Sequence, residues 1–346
     1  MDLKLYMIII AAVGLKTYSE ESVKKIILAG ADAIRYSFNY GTIEQNIEHI
    51  KDGIKIIDEL NSSAKVIANL PSNKVRLVGS IKPREVNEND EITLCSASPE
   101  VNDEQIIQVD TKNLAQKVYV NQITTIDHGK IAIQIFEILN NDTIKAKVLN
   151  HGLIQATHGI NLIKDAGEDK YLEKCKMILD KLGEAEPQLI SIPFVNVNTN
   201  VKIKNLSKYE WKPKIMVRVE DREGVENLEL ICQDPFYDMI LINRGELGVA
   251  LPFERLGTLQ KEMIGTIKKH KKQVIISSQI IEGTINNYIP MRSDILDLTN
   301  IVLDGADGIM LCHETALSTR PAYTLSVAKK IIIEVEKYKS QFYCKL

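Results

Sequence analysis

Short stretches of the 346-residue chain gather side chains suited to handling a charged small molecule. They are Arg35-Tyr36-Ser37-Phe38-Asn39-Tyr40-Gly41, Arg218-Val219-Glu220-Asp221, Asn243-Arg244-Gly245-Glu246-Leu247-Gly248, Ser277-Ser278-Gln279 and Cys312-His313-Glu314-Thr315-Ala316. An arginine such as Arg35 can hold a phosphate through a planar two-point contact. Arg218 and Glu220 are two residues apart, so an extended backbone places them on one face. Glu220 and Glu246, brought to one mouth, would repel each other unless a cation lay between them, and hard carboxylate oxygens suit magnesium or manganese. Ser278 offers a hydroxyl that can donate or relay a proton. Cys312 and His313 suggest a thiol or zinc site, but neighbours on an extended segment point to opposite sides. His270, inside Lys268-Lys269-His270-Lys271-Lys272, reads as the solvated basic end of a helix. Any one of these stretches alone would pass for solvated surface; their positions relative to the elements decide.

Those elements alternate. Strand-like runs at residues 6–13, 33–38, 65–70, 189–194, 214–219, 239–242, 273–278 and 308–311 are separated by helical patterns at 20–29, 43–60, 168–182, 224–232, 254–270, 293–303 and 322–338. Eight such strands fit a closed (β/α)8 TIM barrel, a fold of the α/β class whose chemistry lies at the C-terminal ends of the strands. Each stretch named above falls at such an end. Between the third strand and its helix the rhythm breaks into short runs at 91–95, 106–109, 117–120, 131–138 and 143–148, separated by Asn, Asp and Gly. Residues 1–75 with 163–346 are therefore expected to form the barrel, and 76–162 an inserted all-β lid domain, itself a β-barrel.

Composition narrows the partners. Forty-three Lys and Arg against 46 Asp and Glu give a net charge of −3, without the broad positive field that nucleic-acid binding needs. Five scattered cysteines (Cys95, Cys175, Cys232, Cys312, Cys344) show no CxxC spacing, and their odd number fits a reducing cytoplasm. The apolar run at 7–15 is short and follows both Asp2 and Lys4, so it reads as a buried parallel strand rather than a leader. No other run approaches the ~20 residues of a membrane span. Neither nucleic acid nor membrane is expected as a partner.

In this order and around this insert, the motifs resemble pyruvate kinase. The resemblance rests on SEESVKKIILAGADAIRYSFNYG (19–41), VRVEDREGVEN (217–227), INRGELGVALPFE (242–254), RSDILDLTNIVLDGADGIMLCHETA (292–316) and Arg320-Pro321. Inside the insert, TIDHGKI (125–131) and NHGLIQATHGINL (150–162) add to it. It implies a phosphotransferase acting on phosphoenolpyruvate and a nucleoside diphosphate such as ADP, with Mg2+ or Mn2+ as cofactor. Arg35 matches the arginine that holds the transferred phosphoryl group. Glu220 and Glu246 match the two metal ligands, the second being usually Asp. Gly245, with the peptide of Arg244, matches the loop that receives the enolpyruvate carboxylate. Ser278 matches a threonine linked to protonation of the enolate.

The departures also carry meaning. Arg218 stands where the family has its catalytic lysine, and a broad guanidinium is not interchangeable with a compact ammonium. On the nucleotide side Arg76 and Asp127 are kept, while Tyr40 replaces a histidine and His128 the second Asp of an Asp-Asp-Gly turn. Asn69, Leu70 and Lys74 resemble the branch in which a lysine replaces bound potassium, so no potassium requirement is expected. Leu346 follows closely on the last helix, so the C-terminal effector domain of ordinary pyruvate kinases, and sugar-phosphate control with it, is expected to be missing. Homo-oligomer formation stays open. Two alternatives stand beside the kinase: a repurposed metal-dependent enzyme acting on a phosphoenolpyruvate- or pyruvate-like substrate with another acceptor, and a binding protein that has lost the chemistry.

Overall fold

β1 (Ile8–Ala12) is apolar throughout, with Ile9 to Ala12 buried, as a parallel strand covered on both faces requires. It opens a computed structural model that describes residues 7–78, 83–98, 103, 105–156, 158–162, 168–207 and 210–342. α1 (Glu20–Leu28) is capped by Ser19, which accepts from the Ser22 N–H, and buries Val23, Ile26 and Ile27. β2 (Ala33–Ser37) leads to α2 (Ile43–Glu59), fixed at its start by a Thr42/Gln45 capping box. β3 (Lys65–Asn69) ends this first section.

The insert contributes β4 (Leu77–Val78), β5 (Arg84–Val86), β6 (Glu91–Ser96), β7 (Ile106–Val109), β8 (Ile123–Ile126), β9 (Ile131–Ile138), β10 (Thr143–Val148) and β11 (Gly152–Ile154). Alternation along β9 and β10 turns Ile131, Ile133, Ile135, Ile144, Ala146 and Val148 into one core with Leu94, Ile107 and Val109. Among the described residues these strands form a six-stranded sheet, order β4-β7-β6-β10-β9-β8, and a separate β11-β5 pair. The sheet's edge strand β4 is only two residues long, and isolated antiparallel bridges Arg76–Gly159 and Ile126–Ile160 tie both edges of the sheet to the returning segment. The run at 117–120 is not a strand: Leu114–Lys117 makes a 3-10 turn, and Tyr119 and Val120 are exposed.

The rest alternates strand and helix: α3 (Glu168–Leu182), β12 (Leu189–Pro193), α4 (Val197–Leu206), β13 (Lys214–Val219), α5 (Arg222–Glu226), α6 (Leu228–Gln233), β14 (Met239–Asn243), α7 (Arg244–Ala250), α8 (Leu256–Lys269), β15 (Gln273–Ser277), α9 (Arg292–Leu303), β16 (Gly308–Leu311), α10 (His313–Ala316) and α11 (Pro321–Phe342). Eight parallel strands close a barrel in the order β1-β16-β15-β14-β13-β12-β3-β2. The closing register pairs Ile8 with Gly308 and Ala11 with Leu311. A Cβ at Gly308 would stand 2.7 Å from the Ile8 carbonyl oxygen, so the closing strands approach as only glycine allows. Ile10, Ala33, Ile67, Met216, Leu241, Ile275 and Met310 pack the interior.

Two compact units emerge. One holds the described residues up to Ser72, Cys175–Leu247 and those from Glu254 onward; the other holds the described residues of Asn73–Lys174 with Gly248–Phe253. Two local expectations change, and one helix not read from the sequence appears. The helix read at 224–232 is two, α5 and α6, broken at Asn227, whose Nδ2 donates to the Glu223 carbonyl. α4 has no apolar stripe, since Val197 and Val201 are exposed, and only its Asn196 cap announces it. The segment from Arg244 is not a strand-end loop but helix α7, with Glu246 in its first turn.

Candidate active site

At the end of β13, Arg218 is 4% exposed, and its guanidinium is almost fully occupied by protein acceptors. Nη1 donates to Asn69 Oδ1 (2.8 Å) and reaches the Ser191 carbonyl (3.2 Å) and hydroxyl (3.3 Å). Nη2 donates to the Leu70 carbonyl (3.1 Å), and Nε to Glu220 Oε2 (3.3 Å). The barrel register explains this: Asn69 of β3 and Ser191 of β12 are paired across the sheet, and Arg218 pairs with Pro193. The reading of Arg218 and Glu220 as sharing a face agrees with their ion pair.

From Glu220 a polar chain runs along the next strand ends. Asn243 Nδ2 donates to Glu220 Oε2 (3.1 Å), and Asn243 Oδ1 accepts from the Ser278 hydroxyl (2.8 Å). Ser278 and Gln279 have φ of 77° and 53°, and Ile281 has 53°, the left-handed region that non-glycine residues enter at a cost. Arg244 holds that turn: Nη2 donates to the carbonyls of Ser278 (2.8 Å) and Gln279 (3.3 Å), while the guanidinium forks onto Asp297 at 2.7 and 2.8 Å. Asp297→Asn removes the charge from this fork and is expected to lower the unfolding free energy by roughly 1–2 kcal/mol, discounted for partial exposure, as measured by urea denaturation.

Arg35, on β2, is arranged in the opposite way. Among the described residues its buried Nε has no hydrogen-bond partner. Burial lowers its pKa from the ordinary arginine value; Cys312, Tyr40 and Glu220 oppose the shift and Arg218 reinforces it, so these groups share one electrostatic field. Tyr40 is 47% exposed. Burial, then Tyr40, raises the Tyr18 pKa while Arg35 lowers it, and the Tyr18 ring stacks on His49 at 4.3 Å. The Cys312 thiol is pushed by burial up to about 11, far from a reactive thiolate.

The candidate residues thus fall into two groups. Arg35, Asn69, Arg218, Glu220, Asn243, Arg244 and Ser278 are joined by hydrogen bonds or a common field within the barrel, and Gly245 and Glu246 follow on α7. Lys74, Arg76 and Asp127 belong to the second unit. There the Lys74 side chain lies against Gly159, and the Arg76 backbone N–H donates to Asp110. Asp127, His128 and Gly129 all have positive φ, the turn that the sequence suggests. Burial works to raise the Asp127 pKa, but Lys130 and His158 outweigh it and leave it lowered.

The family model described as pyruvate kinase, barrel domain, matches residues 6–325. The chain belongs to the pyruvate kinase family. It is 29% identical over 336 residues to a pyruvate kinase of Thermococcus litoralis, covering 96% of this chain and 70% of that protein. A pyruvate kinase of Buchnera aphidicola subsp. Schizaphis graminum is 29% identical over 344 residues (96% and 70%), and one of Thermotoga maritima 28% over 344 residues (97% and 72%). Within this pyruvate kinase barrel, Ser191 and Asp297 escaped the sequence reading as site components, and Asn243 and Glu314, though inside the named stretches, were given no role in it. Glu314 is 1% exposed, and its two carboxylate oxygens accept from the N–H groups of Ile280 (2.8 Å) and Cys312 (2.6 Å). Alternation on β14, which turns Asn243 toward the ends of β13 and β15, was the available signal for one of them.

Proposed function

We propose that the barrel mouth binds phosphoenolpyruvate, or an oxo acid of the same shape, and transfers its phosphoryl group to a nucleoside diphosphate. The observation that carries this is the contrast between the two arginines: Arg218 is satisfied by protein groups, whereas the buried Arg35 Nε in the same field has no partner among the described residues. A cation held without an acceptor is suited to an anionic ligand. Arg35 takes the phosphoryl oxygens, the Arg244–Gly245 peptide the carboxylate, and Tyr40 the nucleotide. The phosphoryl group leaves the enol oxygen for a terminal oxygen of the diphosphate; the enolate left behind accepts a proton, with Ser278 as relay, and becomes the keto acid.

The donor chemistry suits a divalent ion. Among the described residues Glu220 Oε1 makes no hydrogen bond, while its Oε2 is occupied by Arg218 and Asn243. Mg2+ or Mn2+ is commonly held by one or two carboxylates, with ligand and water oxygens supplying the rest. Glu220 and Glu246 would hold it, and it would supply charge stabilisation to phosphate and enolate oxygens. Asn69, Leu70 and Lys74 carry the expectation of potassium independence, and the cytoplasm is the proposed location. Among the described residues no helix is long and apolar enough to cross a membrane.

Pyruvate should form from phosphoenolpyruvate, ADP and Mg2+ at the same rate with and without potassium. Glu220→Ala is expected to weaken Mn2+ binding in the presence of oxalate by about 30-fold in calorimetric titration, about 2 kcal/mol. Wild-type protein that binds Mn2+ and oxalate yet makes no pyruvate would overturn the kinase reading. The occupied guanidinium of Arg218 favours a second reading in that event: the enolate-stabilising half serves an acceptor other than a nucleoside diphosphate.

A further inference from the structure

We propose that Asn69, which hydrogen-bonds Arg218, sets the divalent-ion affinity of Glu220 by controlling how strongly the buried Arg218 draws on that carboxylate. This rests on the reading that Glu220 holds the metal. Arg218 is 4% exposed, so its charge must be balanced by the groups it touches. Those groups are the Asn69 amide oxygen, the Ser191 carbonyl and hydroxyl, the Leu70 carbonyl and Glu220 Oε2. All but the last are neutral. Among the described residues Glu220 is therefore the one anion in hydrogen-bond contact with this guanidinium, and it already receives a second donor from Asn243.

A metal on Glu220 would meet two competitors for the same negative charge, Arg218 in contact and Arg35 in the shared field. Coulomb interactions across a half-buried site are several-fold stronger than in water, so the balance responds to a single neighbouring charge. Asn69 is a position beside the guanidinium where that charge can be changed, at the cost of the Nδ2 donor to the Leu70 carbonyl. It is fully buried, its Oδ1 lies 2.8 Å from Arg218 Nη1, and its Nδ2 donates to the Leu70 carbonyl at 3.1 Å. An aspartate of the same shape gives the guanidinium a counter-ion of its own and releases Glu220. An apolar leucine removes an acceptor and drives the guanidinium further onto Glu220.

The test is Mn2+ titration of the full chain, by calorimetry and by the electron paramagnetic resonance of free Mn2+, without any turnover. Asn69→Asp is expected to tighten Mn2+ by about tenfold, and Asn69→Leu to weaken it by about threefold. Circular dichroism and thermal melts establish that each variant is folded. Because Asn69→Leu adds no charge, a change in that variant separates the shared-carboxylate mechanism from a general field effect. Unchanged Mn2+ affinity in folded Asn69→Leu, or unchanged or weaker affinity in Asn69→Asp, overturns the inference while leaving the metal reading intact. Wild-type Mn2+ binding that persists undiminished in Glu220→Ala overturns both.

Discussion

Arg218→Leu is expected to lower the unfolding free energy by about 3–5 kcal/mol, the range for removing one partner of a buried ion pair. Leucine leaves Asn69 Oδ1 and the Ser191 and Leu70 carbonyls without this donor, and Glu220 Oε2 with only Asn243. These acceptors come from the ends of β3, β12 and β13, so the loss falls on strand ends rather than on one side chain. Arg218→Lys should cost about half as much, because three donors on a single nitrogen cannot reach acceptors that the planar fork spans. Urea denaturation followed by circular dichroism measures both. A loss below about 1 kcal/mol for Arg218→Leu would show that the guanidinium does not hold these ends together.

Glu314→Gln is expected to flatten the dependence of stability on pH. Burial pushes the Glu314 carboxyl up to about 7, with Glu282 adding to the rise, while the N–H groups it accepts from limit it. A folded pKa above the ordinary 4.5 means that the unfolded chain loses this proton first as pH rises. The stability associated with the neutral carboxyl is thus complete below pH 4.5 and is lost as pH rises to about 7. The difference corresponds to about 3 kcal/mol across that window. Wild type should therefore lose about that much relative to Glu314→Gln between pH 4.5 and 7, in urea titrations at a series of pH values. Parallel curves for the two proteins would show that Glu314 titrates alike in the folded and unfolded chain. The comparison is between slopes, because a glutamine amide cannot accept from both Ile280 and Cys312 and so lowers stability at every pH.

Most of the barrel was legible because its strands announce themselves. β13 and β16 begin and end as their apolar runs do, and the other six differ by one or two residues at an end. A strand buried on both faces leaves a continuous apolar run, and eight such runs in alternation with helices permit few architectures. α4 was hidden because its exposed Val197 and Val201 break any apolar stripe, and β4, β5 and β11 because two or three residues carry no period. In the site, type and spacing identified the charged residues but not their partners. Arg218 and Glu220 were readable as one face, yet nothing local tells that Asn69, 149 positions away, accepts from the same guanidinium. Asn243 was visible at a strand end, but its two-sided role depends on β13 and β15 flanking it in one register.

The closure of the barrel between β1 and β16 has a consequence for how the chain is made. Ile8 finds its partner Gly308 only after 300 further residues have been synthesised. Until then one edge of β1 presents unpaired backbone groups, and so does each last strand in turn, a form of exposure that invites pairing with other chains. The described strands of 76–162 have no such delay, because their sheet pairs only within itself. Growth from the ribosome thus favours an early-folding insert tethered to a barrel that stays open until its last strand arrives. Pairing this remote is slow by its topology, so the time spent open, rather than final stability, governs how much chain reaches the closed form.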